Sequence, residues 1–156
     1  MRTFARITIL VSVFLAAGPA AWAAPNFSGR WRADFKRSDF GPFAAPREFE
    51  RTITHDGASI EITTTQGGRK GKVTTVLRYT TDGRECVNMI RGAEARGTAV
   101  WEGDALVINS TRYTGAMTLR MRETWTLDAE GRTITIDAAV LDGSGDLKMK
   151  LVLVKQ

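Results

Sequence analysis

Apolar and polar residues alternate along most of this chain in short runs, and a glycine-bearing dipeptide closes nearly every run. The segments "SIEITTTQGG", "GKVTTVLRYTTDG", "ALVINSTRYTG", "MTLRMRETWTLDAEG" and "TITIDAAVLDG" are rich in β-branched residues and read with a period of two. That period places successive side chains on opposite faces of a strand. The breaks include Asp56-Gly57, Asp82-Gly83, Gly103-Asp104, Thr114-Gly115, Glu130-Gly131 and Asp142-Gly143. Such pairs supply the positive φ that tight hairpins demand. They recur about every dozen residues, the pattern of an antiparallel meander. With a first strand near Trp31 the count is about ten, and no run of helical period exceeds two turns. The predicted fold is all-β, an antiparallel up-and-down β-barrel of about 8–10 strands. A sandwich would need long crossovers, whereas short links favour pairing between sequence neighbours and closure removes the edges.

One connection is long. Residues 36–47, "KRSDFGPFAAPR", hold two prolines, a glycine, Phe40 and Phe43, with Phe35 and Phe49 flanking them. A loop this apolar needs something to lie on. It is either a plug for one end of the barrel or a lid over a mouth.

The clearest strand runs from Met117 to Leu127. Met117, Leu119, Met121, Glu123, Trp125 and Leu127 share one face, and Thr118, Arg120, Arg122, Thr124 and Thr126 the other. The first face is inward by hydrophobicity, yet it carries a carboxylate. An inward Glu123 must find a cation or hydrogen-bond donors, or take up a proton. It is either half of an internal salt bridge or the polar anchor of a ligand in a mainly apolar pocket. Its interior partner is one of Arg78, Arg91 and Arg112. Tyr79, Trp101 and Tyr113 also sit within strands, and Met89 and Met149 add flexible apolar lining suited equally to core filling and to an adaptable pocket. The candidate ligand-binding set is therefore Glu123, Trp125, Met121, Tyr79, Trp101, Phe40 and Phe43.

The N-terminus changes the picture of where this barrel works. Arg2 and Arg6 precede the apolar run "ITILVSVFLAA", Gly18-Pro19 breaks it, and "AWA" ends at Ala23. This is the pattern of a cleaved signal peptide over residues 1–23, with cleavage after Ala23 first and Ala24 second. The run is shorter than the roughly 20 residues of a spanning helix. The expected product, residues 24–156, is a single exported barrel domain, periplasmic or secreted. Cleavage takes two arginines and lowers the net charge from +5 to +3. Acids and bases interleave throughout, so no nucleic-acid-binding face is expected. Thr, Arg and Lys on the outward faces exclude insertion into a membrane as a barrel.

Catalytic and metal chemistry find little material. His55, the only histidine, sits at a turn, where a solvent-facing position is expected. Cys86 is the only cysteine and reads as a small apolar strand residue. One histidine and one cysteine make no zinc site, and no cofactor is called for. "GGRKGK" lacks the hydroxyl residue and the glycine spacing of a phosphate loop. It reads as a basic hairpin tip that could contact an anionic surface. An enzyme is not expected, because Glu123 lacks a second catalytic group.

"FSGRW" carries a resemblance. Gly29 and Trp31 are similar to the Gly-x-Trp signature near the first strand of lipocalins and fatty-acid-binding proteins, the calycin barrels. The chain also resembles small exported bacterial lipocalin-like proteins in "WEGDALVI" and "ETWTLDAEGRTITI". The resemblance implies that Trp31 packs across the closed end beneath a basic residue of a late strand, Lys155 or Arg122. It implies a small apolar or amphipathic ligand bound non-covalently. The helical lid of fatty-acid-binding proteins is missing, and so are the disulfides of many secreted lipocalins. The alternative function is a protein-binding module, such as a periplasmic enzyme inhibitor acting through loop tips. It requires a filled barrel and an exposed patch at Phe40 and Phe43.

Overall fold

The computed structural model describes residues 24–69, 71–115, 117–141 and 146–156. The expected signal peptide over residues 1–23 lies outside them. Ten strands run in chain order: β1 (Gly29–Ala33), β2 (Glu48–Asp56), β3 (Ser59–Gly68), β4 (Gly71–Thr80), β5 (Cys86–Ile90), β6 (Ala93–Glu102), β7 (Ala105–Thr114), β8 (Met117–Leu127), β9 (Thr133–Leu141) and β10 (Asp146–Lys155). They form one antiparallel sheet in the order β4-β3-β2-β1-β10-β9-β8-β7-β6-β5, the nearly closed up-and-down barrel that the alternation predicts. The first and last strands pair, with Trp31 opposite Lys155. Among the described residues no helix is long and apolar enough to cross a membrane.

The exception to neighbour pairing is β4 with β5, which share no ladder. After β4 the chain swings towards β6, where Asp82 bridges Val100 and the Gly83 N–H donates to the Ala99 carbonyl at 3.0 Å. That detour holds β5 away from β4. The buried side chain of Asn88 spans the seam instead. Its Oδ1 accepts from the Arg78 N–H at 2.7 Å, and its Nδ2 donates to the Arg78 carbonyl at 3.0 Å. A primary amide offers one acceptor and two donors, so it can stand in for a neighbouring peptide unit.

Aromatic side chains shut one end. Phe27, fully buried, stacks on Trp101 at 5.9 Å and meets Trp125 edge-on at 5.8 Å. Trp31 is buried beside them, its indole N–H donating to the Phe27 carbonyl at 2.9 Å. The Lys155 ammonium lies over the Trp31 ring at 5.4 Å, which settles the late basic residue as Lys155. Arg122 instead pairs with Glu102 on the outer wall. Gly29 has φ +141, and a Cβ there would press on the Lys155 side chain at 3.0 Å.

His55 belongs to this closed end and is buried, contrary to the solvent-facing position expected at its turn. Its ring stacks with Phe27 and Trp101, and its Nδ1 accepts from the Phe27 N–H at 3.4 Å. The entering chain explains the burial. Ser28 Oγ donates to the His55 carbonyl and accepts from the His55 N–H, which lays residues 26–28 over the ring. Burial lowers the His55 pKa, against opposing effects of the Gly57 backbone and the Asp56 charge.

Two outcomes follow for stability. Asn88→Ala leaves the Arg78 N–H and carbonyl unpartnered, and should cost about 1–3 kcal/mol in urea unfolding with faster hydrogen exchange at the Arg78 amide. For His55, the folded pKa lies below the unfolded value of about 6.5, so the unfolded chain binds protons first as pH falls. The contribution is complete above about pH 6.5 and is lost as pH drops through the folded pKa. The urea midpoint should fall on acidification below that value, and His55→Gln should flatten this part of the profile.

Candidate functional site

Above the closed end the inward faces do not fill the barrel. The alternation of β8 turns Leu119, Met121, Glu123 and Trp125 inwards, and that of β2 turns Phe49, Arg51, Ile53 and His55 inwards. The two faces meet at Arg51. Its guanidinium lies 5.2 Å from the Phe49 ring centroid and 4.9 Å from that of Trp125, within cation–π range. Nε donates to Thr64 Oγ1 at 3.0 Å, while the buried Nη1 has no hydrogen-bond partner among the described residues. Burial pulls the Arg51 pKa below the ordinary arginine value, and the charge of Glu123 opposes that shift. Glu123 Oε2 in turn accepts from the Trp125 indole N–H at 2.8 Å.

Two adjoining chambers flank this group. The inner one, about 120 Å³, is lined by Arg51, Tyr79, Ile108, Arg112, Glu123 and Trp125 among others. Arg112 reaches it from the C-terminal half of β7, and its buried Nε is also without a partner. Burial, reinforced by the Glu123 charge, pushes the Tyr79 hydroxyl well above the usual phenol range, so it is a donor at neutral pH. The outer chamber, about 220 Å³, has Phe40, Phe43, Phe49, Met149 and Leu151 in its walls. Arg51, Met121 and Glu123 line both chambers. Each is smaller than the roughly 300 Å³ of a typical small-molecule site, and the Arg51–Glu123 group stands between them.

The long loop roofs the outer chamber and leaves it open beneath. Asp39 and Lys150 exchange backbone hydrogen bonds at 2.7 Å, and Ser38 Oγ accepts from the Val152 N–H at 3.0 Å. Gly41 follows with φ +56, and a Cβ there would run into the Lys148 carbonyl. The loop is thus seated along β10, with Phe40 stacked on Phe35 at 6.0 Å and Phe43 partly exposed at the mouth.

Of the residues expected at a site, Glu123, Trp125, Met121 and Tyr79 line the inner chamber, and Phe40 and Phe43 line the outer. Trp101 lies in the closed-end stack and lines neither. Among the three proposed partners of Glu123, Arg112 shares its chamber, Arg78 pairs with Glu61 on the outer wall, and Arg91 sits in the turn after β5. Arg51 was not among the expected residues. The alternation of "FERTITHD" places it inward beside Phe49 and Ile53, the same signal that singles out Glu123.

No protein-family model matches the chain, and no curated protein matches it by sequence. Solved structures do. A secretory abundant heat soluble protein from Ramazzottius varieornatus is 11% identical, with 86% of this chain and 98% of that chain covered and a TM-score of 0.62. A point mutant of the fluorescent protein UnaG is 12% identical, with 83% and 96% covered and a TM-score of 0.61. Zebrafish ileal bile acid-binding protein complexed with cholic acid is 16% identical, with 83% and 98% covered and a TM-score of 0.58. The fold is that of the lipocalin-like, or calycin, barrels. These structures carry the names of a heat soluble protein, a fluorescent protein and a bile acid-binding protein.

The loop seat offers a direct test. Gly41→Ala forces a left-handed backbone on a residue with a Cβ, costing about 1–2 kcal/mol locally, and adds the collision with Lys148. Limited chymotrypsin digestion should then cleave at Phe40 or Phe43 faster than in the wild type, with the barrel fragments still resistant.

Proposed function

We propose that this chain is an exported carrier barrel that binds a small amphipathic molecule non-covalently, its apolar body in the outer chamber and an anionic head inside. One observation carries the reading. Two buried guanidinium nitrogens, Nη1 of Arg51 and Nε of Arg112, line the interior without acceptors. A buried donor left unpaired is costly, and a carboxylate or similar group entering the chamber would relieve both. Glu123 offsets only part of this charge, and its Oε2 is already engaged by Trp125. Phe40, Phe43, Met121 and Met149 suit the apolar body, since methionine and phenylalanine adapt to ligand shape. The similarity to a bile acid-binding protein supports the reading at the level of the fold. The export half rests on the N-terminal pattern "ITILVSVFLAA…AWA". The rival reading, a protein-binding module, requires a filled barrel, and the two chambers speak against it.

A fluorescent long-chain fatty acid and its alcohol analogue, titrated in parallel, test the head group. The acid should bind more tightly, and Arg112→Met should weaken the acid about tenfold to a hundredfold while leaving the alcohol unchanged. Equal affinity for acid and alcohol would remove the anionic head, and binding of neither would remove the carrier function.

A further inference from the structure

Three arginines stand around the mouth on three separate connections. Arg47 ends the long loop, Arg69 lies in the β3–β4 hairpin, and Arg91 lies in the β5–β6 turn. All three line one solvent-open vestibule of about 1070 Å³, whose remaining lining among the described residues is Ala, Pro, Gln, Gly and Val, without a carboxylate. None of the three has an ion-pair partner among the described residues. On the outer wall Arg32, Arg78, Arg84, Arg96 and Arg122 are ion-paired, while Arg30 and Arg120 have no such partner among the described residues. The vestibule adjoins the outer chamber, with Ala44, Pro46 and Gln66 in both linings.

The backbone at Arg91 is a second, independent observation. Arg91 has φ 52, the one positive φ outside glycine among the described residues, and Gly92 follows with φ 79. A two-residue hairpin turn with both φ positive favours Asn-Gly or Gly-Gly, and arginine is strained there. The guanidinium contributes no hydrogen bond to this turn. Strain held at a site points from the backbone to the use of the side chain. Arg47 is also fixed in place, its N–H donating to the Gly67 carbonyl at 2.9 Å, next to the hairpin that carries Arg69.

We propose that the vestibule is an anion subsite separate from the Arg51 and Arg112 pair, and that it takes a phosphate-class group, tetrahedral and multiply charged. A single carboxylate would leave most of the charge of three guanidiniums uncompensated. The terminal oxygens of a phosphate group can be shared among several planar forks, and its multiple charge matches more of theirs. The group can be carried by a soluble ligand or by a lipid headgroup in a bilayer on which the mouth rests.

Arginine Nε–Hε resonances of the ¹⁵N-labelled protein read this out. In one arm inorganic pyrophosphate is titrated. In the other, the protein is sedimented with phosphatidylcholine vesicles with and without phosphatidic acid. Pyrophosphate should shift Arg47, Arg69 and Arg91 saturably and leave Arg51 and Arg112 in place. R91N, which suits the turn and preserves folding, should weaken this about fivefold or more. Saturation without vesicle binding assigns the group to a soluble ligand. Sedimentation that needs phosphatidic acid and is lost in R47Q/R69Q/R91Q assigns it to a headgroup. Silence in both arms, or a response untouched by these variants, overturns the subsite. Interior binding is not required for any of these signals, so a failure of the carrier reading would leave them unchanged.

Discussion

The guanidinium of Arg51, held between the rings of Phe49 and Trp125, sets the terms for the whole interior. A charge taken out of water must be met by other groups or it destabilises the fold. Here ring faces, the Thr64 hydroxyl and the nearby Glu123 carboxylate share that task. Trp125 serves both charges, with its face under Arg51 and its N–H on Glu123. Apolar side chains could not close over this cluster without stranding one of its ions. The space around it therefore persists as two chambers instead of collapsing into ordinary core.

The same division explains where packing is concentrated. Trp31, Phe27, Trp125, Ile134 and Leu153 are almost wholly buried at or near the closed end, where the aromatic stack and the entering chain seal the barrel. The upper half holds the charges, the methionines and the roofing loop. The seam between β4 and β5 runs beside the inner chamber, which takes Leu77 and Tyr79 from one strand and Ile90 from the other. A seam joined by the Asn88 amide and a Thr80–Cys86 side-chain contact opens at lower free energy than a full ladder. The one missing ladder among the described strands thus flanks the inner chamber, away from the aromatic stack of the closed end.

Alternation made most of this legible in the sequence. The strand count, the closure of β1 on β10, the inward position of Glu123 and the role of Trp31 all follow from local pattern or from the "FSGRW" resemblance. What was not legible depended on contacts distant in sequence. His55 looked exposed because its turn is polar, but Ser28 and Phe27 fold over it from 27 and 28 residues away. The missing β4–β5 ladder leaves no trace in period two, since β5 alternates like any strand. Asn88 marks it only as a polar residue on the inward face. Trp101 could not be placed by alternation alone, which left open both which way it faces and how near the closed end it lies. Arg51 differs from these, since its position was readable and only its polarity obscured it.

The turn acids of the closed end and the unpaired arginines of the mouth have different causes. At the closed end the acids serve the backbone. Asp82 Oδ1 accepts from the Arg84 N–H and the Thr80 hydroxyl, and Asp128 Oδ1 accepts from the N–H groups of Arg132 and Thr133. Those hydrogen bonds hold both carboxyl groups below the usual aspartate range, Asp82 at about 2. They are turn-forming residues, and their charge is incidental to that work. At the mouth the guanidiniums of Arg47, Arg69 and Arg91 serve no turn, and Arg91 occupies a backbone conformation that a smaller residue would hold without strain. Turn chemistry accounts for the acidic end and not for the basic one. The proposed anion subsite supplies the reason for the unpaired arginines at the mouth that turn chemistry does not.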